Sequence, residues 1–271
     1  MTTYTKSIQE LRKQRDKKTK ANPLDWLNLA GLFWLEEGEN SFGTDQNNKI
    51  SLTGFPNAFC GGFNFKDNKV TFHSAKDMPY ACNHPNPEIR PLISDLDEEP
   101  DLITVGRITM KIIVRGAATL VRAWDRESPA GKQFMGFKYY PVDESYRVTA
   151  KYVRYELSKI IKRQDIIGTE IEGQLLGQAR FSLNGAECTL EAEKSDDKLL
   201  FHFTDLTSKV TTYGGGRKFT TPEPEGEELV LDFNLTKNWP CAYTPFATCP
   251  VVLQENRLPI KIEAGEKKYF E

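Results

Sequence analysis

Through most of this chain apolar residues recur at every second position, and a 3.6-residue period appears only at its start. In residues 180–190, Phe181 and Leu183 alternate with polar neighbours, as do Cys188 and Leu190. Asn184-Gly185 between them can take the positive φ angles of a type I′ turn, so a hairpin is predicted there. A second hairpin joins residues 108–114 to 118–124 through Arg115-Gly116. Further strands are predicted over 27–35, 63–65, 70–72, 147–155, 199–203, 229–233 and 258–262. The first twenty residues read as a helix, with Ser7 and Glu10 at capping-box spacing and Ile8 and Leu11 as a thin apolar stripe. Asn22-Pro23 stops it, because proline disfavours helical geometry in the residue before it.

Residues 77–100, rich in proline and acid, and residues 222–228 read as loops. Frequent strands, short turn-rich links and no alternating helices predict a mainly β fold: an antiparallel sandwich or barrel in two packed strand-rich halves, with a short N-terminal helix. The polar passage 158–177 reads as irregular and sets the expected division. That gives a helix over 1–22, a sandwich-like half over 23–157, and a second β-rich half with an ordered proline-rich loop over 158–271.

Composition changes this picture little. In 271 residues, 39% hydrophobic and 27% charged residues are ordinary for a folded chain, and a net charge of −2 gives no reason to expect nucleic acid or an anionic membrane. The basic run 6–20 also carries Glu10 and Asp16 and reads as a solvated helix. No apolar stretch approaches the roughly 20 residues of a membrane span, and the start lacks a leader pattern, so a soluble, cytoplasmic protein is expected. Five cysteines without a CxxC pair are expected to be free thiols. Cys82 and His84 have no further ligand at metal spacing, and no metal or cofactor is expected.

Two segments carry candidate chemistry. Thr212-Tyr-Gly-Gly-Gly-Arg217 is either a wide turn or a glycine-lined wall beside Tyr213 and Arg217, suited to an anionic or carbonyl group. No Gly-Lys-Thr/Ser follows, which excludes a P-loop. In residues 238–258, Pro240, Pro245 and Pro250 recur every five residues and forbid helix, yet Trp239, Tyr243 and Phe246 are too apolar for a solvated loop. Asn238, Thr244, Asn256 and Arg257 either brace this irregular backbone or converge on a pocket. Cys241 and Cys249 are nucleophiles by type, but no histidine lies near them in sequence.

These stretches carry a resemblance. Residues 26–43, Val121-Arg-Ala-Trp-Asp125, Tyr140-Pro-Val-Asp143, the Tyr213 glycine run, Leu231-Asp-Phe-Asn234, residues 238–250 and Glu255-Asn-Arg-Leu258 resemble the domain-of-unknown-function 1684 family. The resemblance implies a bacterial-type family with no established activity. Phe42-Gly-Thr-Asp45 is similar to the start of a forkhead-associated domain. Thr44, however, stands where that family places its phosphate-gripping arginine, so the likeness implies fold and not phosphothreonine binding.

Two functions follow as expectations. One is a small-molecule binding or enzymatic site in the second half, with Tyr213, Arg217, Asn238, Tyr243 and Arg257 holding an anionic ligand. The other is a non-catalytic β-sandwich module that binds another protein.

Overall fold

A computed structural model describes residues 2–270. The chain folds as two units: residues 19–134, and the helix up to Lys18 together with the chain from Met135 onward.

Helix α1 (Thr3–Ala21) is the predicted helix, with a different cap. The Thr2 hydroxyl accepts from the Thr5 N–H at 3.1 Å, while Ser7 lies inside the helix and donates back to the Tyr4 carbonyl at 2.7 Å. A threonine one turn earlier satisfies the helix start, which makes a cap at Ser7 unnecessary.

The unit 19–134 contains two sheets. The first joins β1 (Leu29–Trp34), β6 (Ala81–Cys82), β7 (Ile103–Val105), β8 (Ile108–Arg115) and β9 (Ala118–Asp125), in the antiparallel order β1-β9-β8-β7-β6. The second joins β2 (Gly38–Gly43), β3 (Ile50–Ser51), β4 (Gly61–Lys66) and β5 (Lys69–Ser74) in the order β3-β2-β4-β5. Phe42, Phe63 and Phe72 from the second sheet share one core with Ile103, Ile108, Met110 and Val121 from the first. That is sandwich packing, each strand turning its apolar alternate residues inward.

The other unit holds one seven-stranded sheet. It comprises β10 (Arg147–Gln164), β11 (Glu170–Leu183), β12 (Ala186–Ser195), β13 (Lys198–Phe203), β14 (Arg217–Pro222), β15 (Glu228–Asp232) and β16 (Lys237–Asn238). The antiparallel order β15-β10-β11-β12-β13-β14-β16 leaves an edge at each end, so the sheet is open and not a barrel. Both predicted hairpins form, with Asn184 and Gly185 at φ 52° and 77° in the first. The core gathers Phe181, Leu190, Phe201, Phe203, Phe219 and Phe233 against Leu258, Ile260 and Ile262 from the end of the chain.

Two expectations are corrected. The passage 158–177, read as irregular, is the paired outer part of β10 and β11, with Lys159, Lys162, Glu170 and Glu172 exposed and its tip joined to the chain at residues 249–251. Residues 258–262, read as a strand, join no sheet, although Leu258, Ile260 and Ile262 are buried in alternation. Pro259 has no N–H to give a ladder. The backbone there is satisfied singly instead, Leu258 N–H to the Thr204 carbonyl and Ile262 N–H to Asp205 Oδ2. No helix among the described residues is long and apolar enough to cross a membrane.

Candidate functional site

The five predicted residues lie in the same unit but do not share a cavity. Arg217 opens β14 and is only 1% exposed. Its Nη2 donates to Asp205 Oδ2 at 2.7 Å and to the Ile262 carbonyl, and its Nη1 donates to the carbonyls of Ala264 and Glu266. These bonds use both Nη groups, so Arg217 clamps the C-terminal chain instead of presenting a fork to a ligand.

Asn238 and Tyr243 meet at Glu266, a carboxylate fully buried at 0% exposure. The Asn238 backbone N–H and side-chain amide donate to it at 3.0 and 2.9 Å, and the Tyr243 hydroxyl donates at 2.6 Å. Arg15 of α1 closes the network at 2.7 Å, and it also donates to the hydroxyls of Tyr139 and Tyr243. Burial, then the Glu266 charge, pushes the Tyr243 hydroxyl well above its ordinary range, so it stays a donor. The basic run is therefore not merely a solvated face: Arg12 also donates to the carbonyls of Tyr140 and Asn234.

A groove lies between α1 and the sheet edge. Ile8, Leu11, Phe219 and Leu235 give it apolar walls around about 260 Å³, and Arg12, Arg15, Lys218 and Lys237 line it with no acidic residue among them. Glu266 pairs with Arg15. The other three cations have no carboxylate within ion-pair distance among the described residues, although Glu266 and Asp232 act on Lys237 and Arg12 from further off. Lys218 and Lys237 stand directly opposite each other on β14 and β16. Like charges facing across a strand pair repel. Burial first, and then neighbouring cations, hold both ammonium groups below the usual lysine range. Lys218 also rests over the Trp239 ring, 3.5 Å from its centroid.

Arg257 is exposed and lines a separate cleft of about 390 Å³ with Lys209, Asp205, Gly214, Gly215, Pro250 and Val252. Asp205 is already held by Arg217, so the cleft's free charges are positive.

Tyr213 belongs to a third cluster. The Cys241 N–H, in a turn started by Pro240, donates to Cys249 Sγ at 3.3 Å. The Cys249 thiol foremost, then the Tyr213 hydroxyl and the Lys218 ammonium, favour a thiolate at Cys241 and hold it below the ordinary thiol range against the effect of burial. Cys249 is pushed up, by its interaction with Cys241 first and by burial second. No histidine takes the part of base. His202 packs 4.9 Å from Trp239, and burial lowers it to about 3, keeping it neutral. All five cysteines are free.

Sequence reasoning named both cysteines but looked for a histidine partner, whereas tyrosine, lysine and the second thiol fill that place. It missed Glu266, Arg15, Lys218 and Lys237. Of these only Arg15 lay in a stretch that stood out, the basic run 6–20.

These features define a mainly β protein with an N-terminal helix, a cationic groove and a pair of neighbouring cysteines, one buried and one partly exposed. A family model described as "Protein of unknown function (DUF1684)" matches residues 132–267, half of the chain, and the chain belongs to that family. Among solved structures, it is similar to the solution NMR structure of an uncharacterized protein of Haloarcula marismortui. The two are 26% identical over 51% of this chain and 79% of that one, with a TM-score of 0.44. No curated protein matches the chain. The forkhead-associated likeness of the first half finds no support among these matches.

Proposed function

We propose that the protein binds a small amphiphilic anion, such as a medium-chain or aryl carboxylate, in the groove between α1 and the β14–β16 edge. The observation that carries this reading is the facing pair Lys218 and Lys237, which have no carboxylate partner above apolar walls. Holding two like charges opposite each other costs free energy in the empty protein, and an anion between them removes that cost. The groove is near the small end of ligand cavities, roughly 300–1,000 Å³. In this reading Asn238 and Tyr243 act through Glu266 to position Arg15, and Arg217 braces the chain behind. Arg257 and Tyr213 serve their own cleft and thiol cluster. The setting is the cytoplasm of a bacterial-type cell, with which five free thiols agree.

Thermal shift with a series of carboxylates tests it. Octanoate should raise the melting temperature, and octanol and acetate at equal concentration should not, since the head needs charge and the walls need an apolar tail. Lys218→Gln with Lys237→Gln should abolish the shift while the empty protein gains about 0.2–1 kcal/mol from relieved repulsion. No stabilisation by any amphiphilic anion would remove the reading.

A second reading, a protein-interaction module, draws on Leu157 and Ile160, which are 85% and 63% exposed on β10. If the groove binds nothing and Leu157→Ser removes capture of one defined partner, that reading replaces the first.

A further inference from the structure

The cluster of Cys241, Cys249 and Tyr213 shares the charge of Lys218 with the groove, but its thiols lie outside the groove and carry a reaction of their own. Two thiols eight residues apart are brought together by a turn that Pro240 starts and Pro250 follows. Their relation is unequal. Cys249 is buried, with its sulfur 3.3 Å from the Cys241 N–H, while Cys241 itself is partly exposed. The Tyr213 hydroxyl and, to a lesser degree, the Lys218 ammonium also favour a thiolate at Cys241. Gly214 and Pro250, the chain neighbours of Tyr213 and Cys249, line the 390 Å³ cleft. A partly exposed sulfur with groups that favour its thiolate, and a second thiol packed against the same turn, is the arrangement of an oxidisable pair. Inert buried cysteines, by contrast, sit apart in apolar surroundings, as Cys188 does in the core.

We propose that Cys241 and Cys249 form a peroxide-reactive dithiol in which Cys241 is attacked first and Cys249 resolves it. In the first step the Cys241 thiolate attacks the terminal oxygen of a hydroperoxide. The O–O bond breaks, an S–O bond forms, and the departing alkoxide takes a proton from the Tyr213 hydroxyl, which solvent restores. Sulfur is oxidised by two electrons to sulfenic acid, and the peroxide is reduced to an alcohol. In the second step the Cys249 thiol attacks the Cys241 sulfur, the S–O bond breaks, and water leaves as the disulfide forms. The sum is one dithiol and one hydroperoxide giving one disulfide, one alcohol and one water.

The partly exposed Cys241, with groups around it that favour its thiolate, should react before the buried Cys249 and faster than an unperturbed cysteine.

The test uses the reduced full-length chain and tert-butyl hydroperoxide. One equivalent should be consumed per chain, and peptide mapping without reductant should find Cys241 joined to Cys249. In Cys249→Ser, dimedone should trap sulfenic acid at Cys241; in Cys241→Ser it should trap none at Cys249. Should either variant fail to fold, brief alkylation of the wild type with limiting iodoacetamide gives the same answer, because Cys241 should be labelled first. Equal labelling of the five cysteines, or peroxide treatment that leaves 241 and 249 unjoined, overturns the proposal. Neither result touches the groove, whose carboxylate assay involves no thiol.

Discussion

At the scale of single residues, the side chains that looked most chemical are the ones most occupied by the fold. Arg217 was legible as an important residue because it follows three glycines and opens a strand. Its role was not legible, because its partners Asp205, Ile262 and Ala264 come from elsewhere in the sequence and only the fold brings them together. Arg257 is the reverse case, an arginine inside the most distinctive motif whose side chain faces solvent. The two should separate on mutation. Arg217→Met leaves Asp205 buried without its cation, and breaking a buried pair from one side costs about 3–5 kcal/mol. Arg257→Met should change stability by less than about 0.5 kcal/mol, as surface substitutions do. Urea unfolding of the two variants checks the contrast, and equal losses would mean that Arg257 has a structural partner in solution. Asn256, by comparison, was legible in kind. It is a buried asparagine in an irregular segment, and it accepts from the Glu191 N–H at 2.7 Å and donates to the carbonyls of Glu191 and His202.

At the scale of elements, period-two alternation identified strands well wherever one face was buried, and it failed in two informative ways. It missed the outer halves of β10 and β11 because the half-buried positions there include Arg163 and Gly173 beside Ile161 and Ile171, so burial alternates along the strands but apolarity does not. It predicted a strand at residues 258–262 because the alternation there is real but the hydrogen-bond ladder is absent, and pattern reports burial, not pairing. The three-glycine run was legible as a turn, though not which glycine the turn requires. Gly216 is that glycine. It has φ at +89°, and an added Cβ would lie 2.6 Å from the Phe203 carbonyl oxygen, a backbone atom that β13 fixes. At Gly214 the nearest atom is the flexible Lys209 side chain, and the φ there is ordinary. Gly216→Ala should therefore cost at least about 1–2 kcal/mol from the left-handed backbone alone. Gly214→Ala should be within about 0.5 kcal/mol of neutral, since the lysine can move. Chemical denaturation of both variants reads the difference, and similar costs would place the strain elsewhere in the loop.

At the scale of the whole molecule, the family match begins at residue 132, within three residues of the point where the second compact unit resumes at Met135. The match leaves out the helix, although the helix belongs to that unit. Residues up to Lys18 supply Ile8 to the groove wall, Arg12 to the carbonyls of Tyr140 and Asn234, and Arg15 to Glu266. The chain thus reaches its matched region with one essential piece already made, and residues 19–134 are inserted between that piece and the rest. The sequence could not announce this, because a basic helix beside a β-rich chain looks the same whether its cations are solvated or spoken for. A test follows from the energetics of Glu266. Without Arg15 this carboxylate keeps three donors from Asn238 and Tyr243 but loses the cation paired with it among the described residues, at a cost of about 3–5 kcal/mol. A chain beginning at Thr19 should therefore lose most of the stability of its β10–β16 unit. The single variant Arg15→Met should reproduce the larger part of that loss with the helix still present. The unit 19–134 keeps its own two-sheet core and should hold its amide-exchange protection in both. Hydrogen exchange resolved by peptide distinguishes the outcomes. If β10–β16 exchange as slowly in the shortened chain as in the full one, the helix is an appendage, and the buried carboxylate finds its partner elsewhere.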